Sequence, residues 1–169
     1  MVQPAEDMAF DATELVVSVA PFIVRRRARW SECDPAGVVH TVHFGDYVLS
    51  AADLFRNHLV GRDWHLRNRT SGFGSPAKAL SLVFQGSLWP NDPFDIAVFV
   101  GDIRTRTMDL LMQASRHDGR PIFSARLSSI CVAADDRTTS QPWPADYADC
   151  YREYAATHDI PAALAATKP

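Results

Sequence analysis

Residues 25–59, RRRARWSECDPAGVVHTVHFGDYVLSAADLFRNHL, decide how this chain of 169 residues is read. They divide into a strand, a sharp turn carrying a carboxylate, and a long helix with an apolar stripe. The turn is Asp34-Pro35-Ala36-Gly37. Pro35 disfavours the helical region for Asp34 and pushes it toward an extended conformation. Gly37, lacking a Cβ, permits a tight turn and the close approach of a ligand. As a bare tetrapeptide this is ordinary turn composition. Its place just ahead of a long helix makes Asp34 a candidate for chemistry.

Upstream, Phe22, Val24, Arg26, Ala28 and Trp30 alternate onto one strand face and Ile23, Arg25, Arg27 and Arg29 onto the other. The arginine-rich face reads as a solvated sheet edge. Before it lies an extension, residues 1–20, with a short strand at 15–19. Downstream, Phe44, Tyr47, Val48, Ala51, Leu54, Phe55 and Leu59 recur at helical spacing. Thr41 is the expected N-cap and Gly61 the expected stop. The small residues Ser50, Ala51 and Ala52 allow a sheet to approach closely.

Residues 62–74 read as a loop with a short helical turn. Strands follow at 76–88, 94–104, 107–117 and 121–133, with Pro90-Asn91-Asp92-Pro93 and the hairpin pair Asp118-Gly119 between them. Their short connections predict an antiparallel meander. A loop over 135–144 leads to a helix over 145–158 and a tail. The main domain is therefore set at 21–145, followed by a helix and tail over 146–169. One helix cannot cover both faces of such a sheet, so the sheet curls around it or buries its outer face against another subunit.

Composition narrows the function. Apolar residues make up 47% and charged residues 22%, as in ordinary globular domains. A net charge of −3 argues against a nucleic-acid partner. The three cysteines (Cys33, Cys131, Cys150) are far apart and form neither a disulfide framework nor a zinc spacing. No apolar run approaches the roughly 18 residues of a membrane span, and the acidic N-terminus is unlike an export signal. A soluble, cytoplasmic protein is expected. The G-x-S-x-G, G-x-x-x-x-G-K-[ST] and G-x-G-x-x-G motifs do not occur.

The chain resembles hotdog-fold acyl-CoA thioesterases of the 4-hydroxybenzoyl-CoA thioesterase type. The resemblance rests on Cys33-Asp34-Pro35-Ala36-Gly37-Val38-Val39, Tyr47 and Ser50-Ala51-Ala52, and on Pro76, Arg104-Thr105-Arg106 and Pro144-Ala145-Asp146-Tyr147 further on. It implies an α+β hotdog fold, an antiparallel sheet wrapped around one long central helix. It also implies homodimers by edge-to-edge sheet pairing, or homotetramers built from them, with active sites at the subunit interface. In that type the aspartate is catalytic, which transfers to Asp34. Backbone N–H groups at the helix start bind the thioester carbonyl, a role falling to Thr41 or its neighbours. Arg104 and Arg106 match the cluster that contacts the coenzyme A phosphates. No cofactor or metal is implied, coenzyme A being part of the acyl-CoA substrate. His40 and His43 stand where the type has an aromatic residue and an asparagine, which leaves the acyl group open.

Thioester hydrolysis needs a carbonyl polariser and a nucleophile or base. A helix N-terminus supplies the first, and Asp34 supplies the second by direct attack or by activating water. Gly37, His40 and Phe44 are the expected substrate contacts, with Trp30, Trp64, Phe73 and Trp89 as further aromatic candidates. Glu32 would share a face with Asp34 on an extended segment, where repulsion would raise one carboxyl's pKa; a solvated glutamate explains it as well, and it stays outside the candidate set. His40-x-x-His43 fits no recognised zinc spacing. Two other readings keep the fold: an acyl-carrier-protein thioesterase, and a non-catalytic acyl-ligand-binding module.

Overall fold

A computed structural model of the chain describes residues 13–165. The rest of the expected extension and tail, residues 1–12 and 166–169, lies outside the described residues. In order, the elements are β1 (Glu14–Val19), β2 (Phe22–Arg27), a single 3-10 turn (Trp30–Glu32), α1 (His43–Val60), α2 (Trp64–Thr70), β3 (Phe73–Gly74), β4 (Ala77–Phe84), β5 (Pro93–Ile103), β6 (Thr107–Ser115), β7 (Pro121–Ile130), β8 (Val132–Ala133), α3 (Ala145–Ala155) and α4 (Ala162–Ala165). Six strands form one antiparallel sheet in the order β1-β2-β5-β6-β7-β4, and β3 pairs with β8. The α+β expectation holds: one long helix packs against an antiparallel sheet.

The apolar stripe of α1 explains its burial. Phe44, Tyr47, Val48, Ala51, Ala52 and Phe55 are all buried, facing the inner side chains of β2, β5, β6 and β7. Ala51 and Ala52 are fully buried, as close approach of a sheet requires. Gly61 ends the helix at φ +96°, a backbone conformation that glycine adopts without the penalty of a Cβ. In the segment after it, the expected short helical turn is a helix over residues 64–70. At the C-terminal side, the Tyr154 hydroxyl of α3 accepts the Phe22 N–H at 2.7 Å, and its ring meets Phe55 edge-on at 4.9 Å. This helix ends at Ala155, three residues before the expected His158.

Three expectations are corrected. First, β2 is not a sheet edge. It lies between β1 and β5, because the strand at 14–19 is part of the main sheet rather than of a separate extension. On its outer face Arg25 pairs with Asp95 at 2.8 Å, and on its inner face the partly buried Arg26 pairs with the carboxylates of Glu14 and Glu32. Second, the four later strands do not form one meander. β5, β6 and β7 follow in order, but β4 crosses to the far side of β7 because β2 already occupies the free side of β5. The connection over 85–92 therefore spans the end of the sheet. It is anchored by Gln85 and Gly86 N–H bonds to the Ile122 carbonyl and by Asn91 N–H to Ala28 at 2.8 Å. Third, the tail is not featureless: Leu164 of α4 is buried against Phe99 and Leu111 on the sheet's outer face.

Among the described residues β1 and β4 are the two edges of the main sheet, and β4 exposes Leu80, Val83 and Phe84. Among the described residues no helix is long and apolar enough to cross a membrane.

Two buried carboxylates tie the fold to pH. Burial pushes Glu32 up, but the Arg29 N–H, the Tyr47 hydroxyl and Arg26 together outweigh it and hold its pKa below the ordinary value. Asp109 is 1% exposed; burial again acts upward, and Ser128, Arg126 and Arg104 bring it below the ordinary value. Both groups bind a proton less tightly in the folded chain than in the unfolded one. Their contribution is complete above the unfolded-chain values near pH 4 to 4.5 and is lost as pH falls through the lower folded values. Acid unfolding followed by circular dichroism should thus steepen below about pH 4, and Glu32→Gln should flatten that limb; an identical acid limb in the variant would remove Glu32 from this role.

Candidate active site

The Asp34 turn is a small hairpin in front of α1. Cys33 and Val39 form its bridge, the Asp34 N–H donates to Val38 at 2.9 Å, and the His40 N–H donates to the Glu32 carbonyl at 2.9 Å. Gly37 takes φ +79° and its N–H closes the turn onto the Asp34 carbonyl at 2.9 Å. Proline at the second position and glycine at the left-handed position suit this geometry. Asp34 Oδ1 accepts the Ala36 N–H at 2.8 Å, which fixes the carboxylate's direction. Oδ2 has no donor among the described residues, and the residue is only partly buried. The connection from β4 supports the hairpin from behind: Leu88 is fully buried, and its carbonyl accepts the Val39 N–H at 2.9 Å.

The hairpin runs straight into α1. Thr41 is not the N-cap. That position falls to Val42, and no side chain caps the helix. Thr41 and Val42 form a turn in which His43 N–H bonds the His40 carbonyl at 3.0 Å and Phe44 N–H bonds the Thr41 carbonyl at 3.3 Å. Among the described residues nothing accepts Thr41's own N–H. The positive end of the 18-residue helix therefore follows directly on the hairpin, its first two N–H groups held by turn carbonyls and no side chain capping it. His40 is exposed, and its Nδ1 accepts the Val42 N–H at 3.3 Å. His43 Nδ1 lies 3.5 Å from Asp46. Among the described residues no three His, Cys, Asp or Glu side chains assemble into a group that could hold a metal ion.

The other candidates are dispersed. Phe44 is buried in the core, where its ring meets Phe84 edge-on at 5.1 Å and Phe123 at 5.5 Å. Trp30 is 75% exposed, and Trp89 lies on the surface beneath Arg116. Trp64 and Phe73 sit near the other end of α1. Arg104 and Arg106, at the β5–β6 turn, have different surroundings. Arg104 is tied to Asp102 and, at 2.9 Å, to Asp109, so its charge is balanced within the chain. Arg106 is exposed, and among the described residues its guanidinium hydrogen-bonds only the neutral Ser140 hydroxyl, at 3.2 Å.

Glu32 is the residue that sequence reasoning passed over. It is 9% exposed and lies in the 3-10 turn rather than in an extended segment. Its Oε2 accepts the Tyr47 hydroxyl and the Arg29 N–H, each at 2.7 Å, and its Oε1 accepts Arg26 Nη2 at 2.9 Å. Arg26 also pairs with Glu14 at 2.6 Å and lies 4.3 Å from the centre of the Tyr47 ring. Repulsion from Asp34 does not raise its pKa, because three donors surround it. A signal for it was available: Arg26 and Tyr47 both fall on inward faces, and a buried cation calls for a buried anion.

The model of the Thioesterase-like superfamily matches residues 28–166. No curated protein matches the sequence. Among solved structures, a thioesterase-superfamily protein from Jannaschia sp. CCS1 superposes with a TM-score of 0.72 at 21% identity, covering 80% of this chain and 94% of that one. A 1,4-dihydroxy-2-naphthoyl-CoA thioesterase from Synechocystis gives 0.67 at 18% identity, with 83% and 98% covered. A gentisyl-coenzyme A thioesterase gives 0.65 at 17% identity, with 77% and 98% covered. These likenesses are to the fold of α1 and its sheet, and the family match spans the hairpin, the helix and every later strand. The chain belongs to the thioesterase-like superfamily.

Proposed function

We propose that this protein hydrolyses the thioester of an acyl-CoA, releasing a free acid and coenzyme A. One observation carries the reading: Asp34 keeps a free carboxylate oxygen on a rigid hairpin that abuts the uncapped start of α1. The helix N-terminus, with the Thr41 N–H, polarises the thioester carbonyl and receives the charge that develops on its oxygen. Asp34 either takes a proton from the attacking water or attacks the carbonyl carbon itself, forming an anhydride that water then opens. In both routes the C–S bond breaks and the thiolate leaves, taking up a proton. Two structural neighbours are named for aromatic acyl-CoA thioesters, which favours an aromatic acyl group here. Gly37 and His40 border the reacting carbonyl in this reading, and Phe44 acts through the wall it forms with Phe84.

Of the two arginines at the β5–β6 turn, Arg106 is the better phosphate contact, since Arg104 is already paired. That pairing also keeps a carrier-protein thioester in view as substrate. Two-fold pairing of β4 with a second copy would bury Leu80, Val83 and Phe84. It would also bring the residue 75–77 end of one chain beside Phe84 of the other, next to the start of α1. We therefore assign the assembly as a dimer through β4, able to pair further into a tetramer.

The direct test is free-thiol release from a panel of aromatic and aliphatic acyl-CoA thioesters. Asp34→Asn should lower kcat by about 10²-fold or more while leaving the melting temperature near wild type. Turnover near wild type in that variant would remove Asp34 from the mechanism. Val83→Lys should shift the protein toward monomer in light scattering and reduce hydrolysis with it; a fully active monomer would contradict the interfacial site.

A further inference from the structure

A second cleft, of about 310 Å³, opens between α2 and the β3–β8 pair, near the C-terminal end of α1 and away from the Asp34 hairpin. Its wall carries buried hydrogen-bonding groups with no partner. Asn68 is 5% exposed, and among the described residues neither its side-chain Nδ2 nor the buried Ser75 hydroxyl oxygen has a partner. Leaving such a group buried and unsatisfied is costly, so a folded chain that keeps two of them beside a cleft calls for a ligand there. Asn68 and Phe73 form the partition between this cleft and a smaller hollow of about 120 Å³, whereas Ser75 faces the larger one alone.

The remaining lining points to the ligand's chemistry. Arg69 and Arg137 border the cleft, and among the described residues neither forms an ion pair. No aspartate or glutamate lines it. Trp64 and Phe73 supply flat apolar walls. Donors and unpaired guanidinium groups around aromatic walls select an anion on a planar body. The volume is at the lower end of small-molecule sites.

We propose that this cleft binds an organic anion, a carboxylate or phosphate borne on a planar body, with Asn68 and Ser75 donating to its oxygens and Arg69 and Arg137 balancing its charge. Two sources present this chemistry: an aromatic acid, and the nucleotide phosphates of coenzyme A. Binding at the cleft does not depend on the thioesterase reading, because it can be measured without turnover. Calorimetric titration of the full-length protein with naphthoate and, separately, with the adenosine bisphosphate fragment of coenzyme A distinguishes the sources. At least one probe should bind at one site per chain. Its affinity should fall about tenfold or more in the Arg69→Ala/Arg137→Ala double variant and again in Ser75→Ala, and binding should weaken with added salt. These substitutions lie at the rim or remove a single hydroxyl, so folding is checked by an unchanged melting temperature. Failure of both probes to bind, or binding unaltered in the variants, would overturn the proposal even if Asp34-dependent hydrolysis were established.

Discussion

The carboxylate of Glu32 is the point on which the hairpin end of the molecule depends. It joins three elements at once: β2 through Arg26, the turn through the Arg29 N–H, and α1 through the Tyr47 hydroxyl. A buried charge is tolerable only when its lone pairs are satisfied, and here three donors satisfy it. The same contact fixes the angle at which the chain leaves β2 and enters the hairpin. Glu32's own carbonyl then accepts the His40 N–H, closing the hairpin three residues before α1 begins. Arg26, stacked over the Tyr47 ring and paired with Glu14 of β1, extends the clamp to the first strand of the sheet.

Two neighbouring carboxylates thus have different surroundings, and the proposed mechanism gives them different roles. Glu32 is enclosed and saturated with donors, and it holds. Asp34 has one oxygen engaged by the Ala36 N–H and, among the described residues, no donor on the other, and its hairpin leads into a helix that no side chain caps. Buried satisfied groups confer rigidity, whereas an active carboxylate must keep a lone pair for its substrate. The support behind the hairpin is equally built in. β4 must cross to the far side of β7, so its return connection runs along the sheet end and presents Leu88 to Val39.

The features legible in the amino-acid sequence were those carried by local patterning. The stripe from Phe44 to Leu59, the stop at Gly61, the hairpin at Asp118-Gly119 and the turn at Asp34-Pro35-Ala36-Gly37 each show a period or a turn chemistry that the fold retains. What was hidden depended on distant pairing. The arginines of β2 resembled an exposed edge because the partner strand at Glu14–Val19 is short and mostly exposed, with little hydrophobic contrast to mark it. Glu32 resembled a surface charge because its partners lie 6 and 15 residues away along the chain. The order of β4 could not be read because a linker of moderate length permits either neighbour. The paired state of Arg104 follows from Asp109, which reaches it only when β5 and β6 fold back on each other.

The division of labour between Glu32 and Asp34 is the central claim, and a paired measurement of melting temperature and acyl-CoA hydrolysis on two variants tests it. Glu32→Gln should lower the melting temperature by about 5–10 °C, consistent with the loss of about 2–3 kcal/mol of charged hydrogen bonding, yet retain hydrolysis at temperatures where it remains folded. Asp34→Asn should melt with the wild type and lack hydrolysis. The reverse pattern, a stable but inactive Glu32→Gln beside an active Asp34→Asn, would contradict the account.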